Sequence, residues 1–245
     1  MGGVAFTTWL GNTAGIRGTK DGGLTWGPVH SFEFLNHGTT LAVGSTGVVH
    51  VAWSPNGGQI RYGRSKNLGD TWEANRTIVS QAGSTHDCSN VRQHPVIGGH
   101  ADDTGKYAVI TWTASMGGDS TTEDVYVTYS SDSGDTWSKP IKVNDNPTGA
   151  CAIQPWATVD NHGRVHVAWT DTRSGKNDTY YARSANPLQG FEKNVKVNDG
   201  GGSVSGFLGD YKGIAISGKD IVVVWNDTRS GSHIYSARAL GAAGP

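Results

Sequence analysis

The residues of this chain whose types could do chemistry gather at the ends of apolar strands. Hydrolysis by paired groups needs an acid and either a base or a nucleophile, held several ångströms apart across the bond that breaks. Asp87, Glu123, Asp171, Asp210 and Asp227 are the candidate acids and Tyr211 the candidate nucleophile, and any catalysis is expected to rest on Tyr211, Glu123 and Asp210. Binding chemistry has more candidates. His37 (NHGTTLAV), His94 (QHPVIGG), Gln154 (QPWATVD) and Asp210 (GDYKGIAI) each enter an apolar run, and aligning those entries puts the four at equivalent positions around one mouth. Trp156 and Tyr211 stand beside them, which supplies the directed hydrogen bonds and apolar floor of a small-ligand pocket. The same side chains would serve equally to bond loop backbone around an axis. Arg92, Arg173 and Arg229 suit a ligand carboxylate, because a guanidinium fork matches it in shape and charge. Two of them recur in WTDTRSG (Trp169 to Gly175) and WNDTRSG (Trp225 to Gly231), where Asp171 with Arg173, and Asp227 with Arg229, also read as a lock on a loop.

Positioning these groups falls to a repeat. A β-branched run closes on Trp five times, at Trp9, Trp53, Trp112, Trp169 and Trp225, with gaps of 44, 59, 57 and 56 residues. Around Trp169 the unit reads as four strands: Trp156 to Val159, Arg164 to Trp169, Thr179 to Arg183 and Asn194 to Val197. A turn signal between each pair makes a four-stranded meander, the blade of a propeller. The fold expected is therefore an all-β propeller of four-stranded antiparallel blades, approximately 1–36, 37–83, 94–146, 154–199 and 210–240, in a single domain over residues 1–245. The first unit starts at its second strand and the last stops after its third, so five repeats supply 18 strands in place of 20. A fragment of a six-bladed ring, imperfect closure, and blade edges that pair between subunits are the readings of that shortfall.

Between third and fourth strands lies Ser/Thr-x-Asp-x-Gly-x-Thr-Trp, complete in TKDGGLTW (Asp21, Trp26) and SSDSGDTW (Asp132, Trp137). SKNLGDTW carries Asn67 for Asp and keeps Trp72, and SANPLQGF from Ser184 is eroded. A short carboxylate or amide can bond backbone N–H groups inside such a turn, and Gly takes backbone angles closed to other residues. These aspartates are hairpin staples and not catalytic candidates. With the VHVAW…D-x-R-S-G segments, the boxes resemble the Asp-box (BNR) repeats of the sialidase superfamily over nearly the whole chain. That resemblance implies a propeller with its boxes on the face away from the active site, and a Tyr nucleophile such as Tyr211 is what sialidases use. The Phe/Tyr-Arg-Ile-Pro motif of true sialidases is missing, GIRG at Gly15 to Gly18 being its nearest echo. The function expected is glycan recognition on the opposite, top face, with an exo-acting glycosidase as the alternative and a structural or oligomerising propeller as the third reading.

Composition narrows the partners. A net charge of -1 from 20 basic and 21 acidic residues offers no basic stripe for nucleic acid or anionic lipid. No apolar run reaches the length of a membrane span, and MGGVAFTTWL does not read as a signal peptide. Cys88 and Cys151 enter adjacent blades on the top side, so a disulfide and an extracellular compartment are expected over two free thiols. Asn144 to Asn146, Asn177 with Asp178, and Asn198 with Asp199 could give oxygen ligands to calcium, although turn chemistry explains them as well. No cofactor is otherwise expected, and no His/Cys spacing calls for zinc.

Overall fold

The computed structural model describes residues 3–9, 14–32, 37–55, 58–83, 98–116, 122–204, 209 and 212–240, with His37 described in its backbone alone. Five antiparallel sheets follow one another along the chain. Blade 1 holds β1 (Ala5–Trp9), β2 (Gly15–Thr19) and β3 (His30–Ser31). Blade 2 holds β4 (His37–Val43), β5 (Val49–Ser54), β6 (Ile60–Ser65) and β7 (Arg76–Val79). Blade 3 holds β8 (Gly98–Ala101), β9 (Ala108–Ala114), β10 (Asp124–Ser130) and β11 (Ile141–Lys142). Blade 4 holds β12 (Ala152–Val159), β13 (Val165–Asp171), β14 (Asp178–Ser184) and β15 (Val195–Lys196), and blade 5 holds β16 (Gly213–Ser217), β17 (Asp220–Asp227) and β18 (His233–Ala239). Among the described residues this is 18 strands, with blades 1 and 5 three-stranded. The fold is an all-β propeller.

Hydrophobic strands buried on both faces hold the blades together. Trp53 and Trp169 are 0% exposed, and each lies in a strand that opens Val-His-Val-Ala-Trp and alternates its side chains between the two neighbouring blades. The core is accordingly a set of slabs between blades. Ile16 and Phe32 meet Val49, Val51 and Trp53 between blades 1 and 2, and Ile60 and Tyr62 meet Ile110 and Trp112 between blades 2 and 3. Val125 and Val127 meet Val165, Val167 and Trp169 between blades 3 and 4, and Ala168 meets Ile214, Val223 and Trp225 between blades 4 and 5. The first strand of each complete blade lies innermost, β4 packing on β8, β8 on β12 and β12 on β16.

The third-to-fourth turns are stapled as their chemistry requires. Asp132 accepts from the Thr136 N–H at 2.9 Å and from its hydroxyl at 2.6 Å, while Ser130 Oγ accepts from the Gly134 N–H at 2.9 Å. Asp21 with Thr25, and Asn67 with Thr71, repeat the arrangement. Two successive residues in each turn are left-handed: Gly22 and Gly23, Leu68 and Gly69, Ser133 and Gly134. Hydrogen bonds from Thr25 hold the Asp21 carboxyl well below the usual carboxylate range. In the eroded copy, Asn186 instead caps a short 3-10 turn over Pro187–Gln189 by accepting from Leu188 N.

Candidate functional site

Strand direction puts the second-to-third turns and the blade-to-blade crossings on one face, the top, and the stapled turns on the other. Blades 3, 4 and 5 share a repeated device there. From the last residue of β11 the chain reads Lys142-Val143-Asn144-Asp145, and from the last residue of β15 it reads Lys196-Val197-Asn198-Asp199. The Asn of each turns back on the Asp that opens the third strand of its own blade: Asn144 Nδ2 donates to Asp124 at 2.8 Å and Asn198 Nδ2 to Asp178 at 3.0 Å. Lys142 and Lys196 reach the same two carboxylates, each at 2.8 Å. The final Asp holds an arginine of the following blade. Arg173 donates to Asp145 at 2.6 Å, to Asp171 at 2.8 and 3.0 Å and to Asn194 at 3.1 Å, and its guanidinium lies 4.3 Å from the Tyr180 ring centre. Arg229 likewise bonds Asp199 and Asp227 and lies 4.6 Å from Tyr235.

These contacts decide between the two roles offered by the D-x-R pairs. Asp171 and Asp227 are buried, and a buried carboxylate must be paired. Their arginines do that while stacking on the neighbouring Tyr, so Arg173 and Arg229 are inter-blade clamps first, and Asp171 and Asp227 do not stand as solvated acids. Burial raises the Asp227 carboxyl, but hydrogen bonds from Arg229 outweigh it and hold the group low. The side-chain oxygens of Asn144, Asn146 and Asn198 accept N–H groups, and Lys196, Ser174 and Asn198 all donate to Asp178, which is turn and clamp chemistry.

Glu123 departs from the expectation of an acid on an exposed loop. It is 0% exposed, its carbonyl accepts from Ala152 N at 2.8 Å, and it bridges in parallel to Cys151. The start of β12 lies against it and removes it from solvent. Cys151 is disulfide-bonded, and the sequence holds one other cysteine. Asp87, Cys88, Arg92, His94, Asp210 and Tyr211 lie outside the described residues.

The ring of strand entries is also in a different register from the string alignment. The residues before Trp53, Trp112, Trp169 and Trp225 pair with Thr40, Gly98, Trp156 and Gly213 respectively, so those four share one rung. Gln154 lies two residues before Trp156 and His37 three before Thr40, which makes Gly38 the counterpart of Gln154. Both positions are left-handed, Gly38 at φ 61° and Gln154 at φ 52°, within matching bulges. A non-glycine residue in that conformation needs surrounding contacts to hold it. The Gln154 amide donates to Gly209 O and its Oε1 accepts from Thr170 at 3.4 Å. Trp156 is half-buried and packs with Tyr181 and Ile216 against the blade 4 to blade 5 slab, so it is a wedge between blades.

Lys212, just ahead of β16, was not singled out by sequence. It is buried, and its Nζ donates to Thr179 Oγ1 at 3.2 Å across the same blade junction. Burial pushes the amine down to about 7, with Asp227 opposing. A lone Lys in GDYKGIAI carries no sign of this, because burial comes from β14 of the preceding blade. On the top surface between blades 4 and 5 a groove of about 600 Å³ is lined by Gly175, Lys176, Gly200 to Gly202, Ser203, Val204, Thr228 and Arg229.

No protein-family model and no curated protein matches the sequence. Solved structures do match. An α-L-arabinofuranosidase of Fusarium graminearum, solved with arabinobiose, is 18% identical at a TM-score of 0.59, covering 98% of this chain and 76% of its own. The chain shares that fold. An α-L-arabinanase of Penicillium chrysogenum complexed with arabinobiose is 17% identical at a TM-score of 0.55 over 90% of this chain and 74% of its own. A Hadza microbial sialidase is 14% identical at a TM-score of 0.51 over 94% of this chain. This chain spans 53% of that sialidase.

Proposed function

We propose that this propeller recognises a glycan on its top face. The observation that carries the reading is the groove between blades 4 and 5. Gly175 and Gly200 leave its backbone open to a ligand, Gly201 and Gly202 pack closely on Asn177 and Thr228, and Lys176, Ser203, Thr228 and Arg229 line it with polar groups. Structural neighbours solved with arabinobiose support a carbohydrate as the ligand. The expectation that His37, His94, Gln154, Asp210 and Tyr211 contact the ligand belongs to this reading, and the stapled turns, on the face opposite the groove, support an Asp-box propeller of sialidase type. The Cys151 disulfide supports an extracellular setting. Titration of labelled protein with arabino-oligosaccharides and sialosides tests it. Saturable shifts at Lys176, Ser203 and Thr228 are expected, weakened several-fold by Lys176→Ala. A folded protein that binds no glycan on a broad array would sink the reading.

Hydrolysis is the second reading, favoured by the fold likeness to an arabinofuranosidase and a sialidase. It would rest on Tyr211 and Asp210. Glu123 would need the β12 entry to move before it could meet a substrate. Release of a chromogenic leaving group, lost in Tyr211→Phe, is the outcome it requires. Association through the open edge of β18, which exposes Ile234, is the third. A strict monomer by light scattering excludes it.

A further inference from the structure

Where blade 2 meets blade 3, a guanidinium lies buried under the Ser130 to Trp137 turn. Arg64 donates through Nε and Nη2 to the Glu73 carboxylate at 3.0 and 2.6 Å, through Nη1 to the Ser133 carbonyl at 2.6 Å, and through Nη2 to Asp135 at 2.6 Å. Between blades 1 and 2 the same frame is present. Gly27 N donates to Gly18 O at 2.8 Å, as Glu73 N does to Arg64 O at 2.9 Å. Gly18 pairs with Phe6 as Arg64 pairs with His50. Leu68 has φ 54° and Ser133 φ 59°, and Lys20 reaches Asp70 at 2.6 Å as Lys66 reaches Asp135 at 3.3 Å.

Two charged side chains of blade 2 are missing from blade 1. Gly18 stands where blade 2 has Arg64, and Gly27 stands where it has Glu73, so one cation and one anion are removed together. A cavity of about 250 Å³ remains. Gly18, Gly27, Leu68 and Asp70, the counterparts of Arg64 and its three partners, all line it, and Phe6 and Trp72 supply aromatic walls.

We propose that this cavity binds a small guanidinium compound, held by the Asp70 carboxylate and the Leu68 carbonyl between the Phe6 and Trp72 side chains. Guanidinium groups form paired hydrogen bonds to carboxylates and pack on aromatic surfaces. The Lys20 contact does not fill the place, because Lys66 and Arg64 share Asp135 Oδ1 one blade on. Arg17 also lines the cavity, its Nη2 donating to the Trp26 carbonyl at 3.0 Å. That extra positive charge favours a ligand that brings its own carboxylate in place of Glu73. The site is independent of the top-face reading, lying at the stapled turns on the opposite face.

The test is titration of the isotope-labelled chain with arginine, and separately with agmatine, which lacks the carboxylate. Saturable shifts of the Gly18, Gly27 and Gly69 amides in the millimolar range are expected, with arginine the tighter ligand. Asp70→Asn, at an exposed position, should weaken binding by about tenfold. Gly18→Arg combined with Gly27→Glu rebuilds the pair of blade 2 and should abolish uptake. Because a side chain at Gly18 presses on the Phe6 ring, Gly27→Glu alone serves as the second variant, and it should weaken arginine more than agmatine. No saturable shift with either compound, or shifts that Asp70→Asn leaves unchanged, would overturn the proposal.

Discussion

Blades 2 and 4 present the same strand, Val-His-Val-Ala-Trp, to different neighbours. In blade 2, His50 Nδ1 meets the Tyr62 hydroxyl at 2.6 Å and Nε2 donates to the Gly105 carbonyl of blade 3 at 2.9 Å. In blade 4, His166 Nδ1 meets Tyr181 at 2.7 Å, but its buried Nε2 has no protein partner. The cause is the length of the next blade's first turn. Residues 102–107 separate β8 from β9 and reach back over His50, whereas only Gly218 and Lys219 separate β16 from β17. The Arg-Glu pairs diverge in the same way. Arg64 is 3% exposed under the stapled turn of blade 3, and Arg183, paired with Glu192 at 2.8 Å, is 43% exposed beside blade 5. The strand sequence thus supplies a polar pair, and the following blade decides whether that pair is completed.

Acid is the strongest way to break both junctions together. Burial pushes His50 and His166 down from 6.5 to about 4, so between those values the unfolded chain binds protons that the folded one refuses. Stability is fully present above pH 6.5 and falls as pH drops toward 4. Thermal midpoints measured across that window should decline, and a His50→Gln, His166→Gln double variant should flatten the decline. Arg64→Ala comes next. It removes the buried group that ties Glu73 to Ser133 and Asp135 across the blade junction and leaves the two half-exposed carboxylates to Lys66, so a loss of about 2 kcal/mol in denaturant unfolding is expected. Arg183→Ala, at an exposed pair, should lose no more than about 1 kcal/mol. Equal losses would show that the following blade does not set the difference.

How far these features could be read from sequence follows the same division. The strands that carry Trp9, Trp53, Trp112, Trp169 and Trp225 are local patterns, and the expected strands of blade 4 match β12 to β15 to within two residues except at the start of β12. More precisely, β12 begins at Ala152 where Trp156 was expected, because the bulge at Gln154 interrupts the alternation that marks a strand. The bulge is common to β4 and β12, and within it the counterpart of Gln154 is Gly38, one residue on from His37. The staples at Asp21, Asn67 and Asp132 were legible because all their partners lie within four residues. Glu123 and Lys212 were not, since their burial and partners come from a neighbouring blade more than twenty residues away, and of the Arg clamps the near ends at Asp171 and Asp227 were legible while the far ends at Asp145 and Asp199 were not. The one available signal was repetition: Lys-Val-Asn-Asp occurs twice and marks the partner of each D-x-R.

The smallest effect isolates the unpartnered nitrogen. Phe6 already occupies the rung of His50 and His166, so a phenyl ring fits this strand position in one blade. His50→Phe removes two hydrogen bonds and leaves the Gly105 carbonyl and the Tyr62 hydroxyl buried without a partner, a loss of about 2 kcal/mol. His166→Phe strands only the Tyr181 hydroxyl and also removes a buried polar atom that bonds nothing, so the two contributions oppose each other. Its expected change is within about 1 kcal/mol, and its sign reports whether satisfying one nitrogen outweighs burying the other. Lengthening the Gly218 and Lys219 turn toward that of blade 3 supplies the missing acceptor, and in that background His166→Phe should become as costly as His50→Phe.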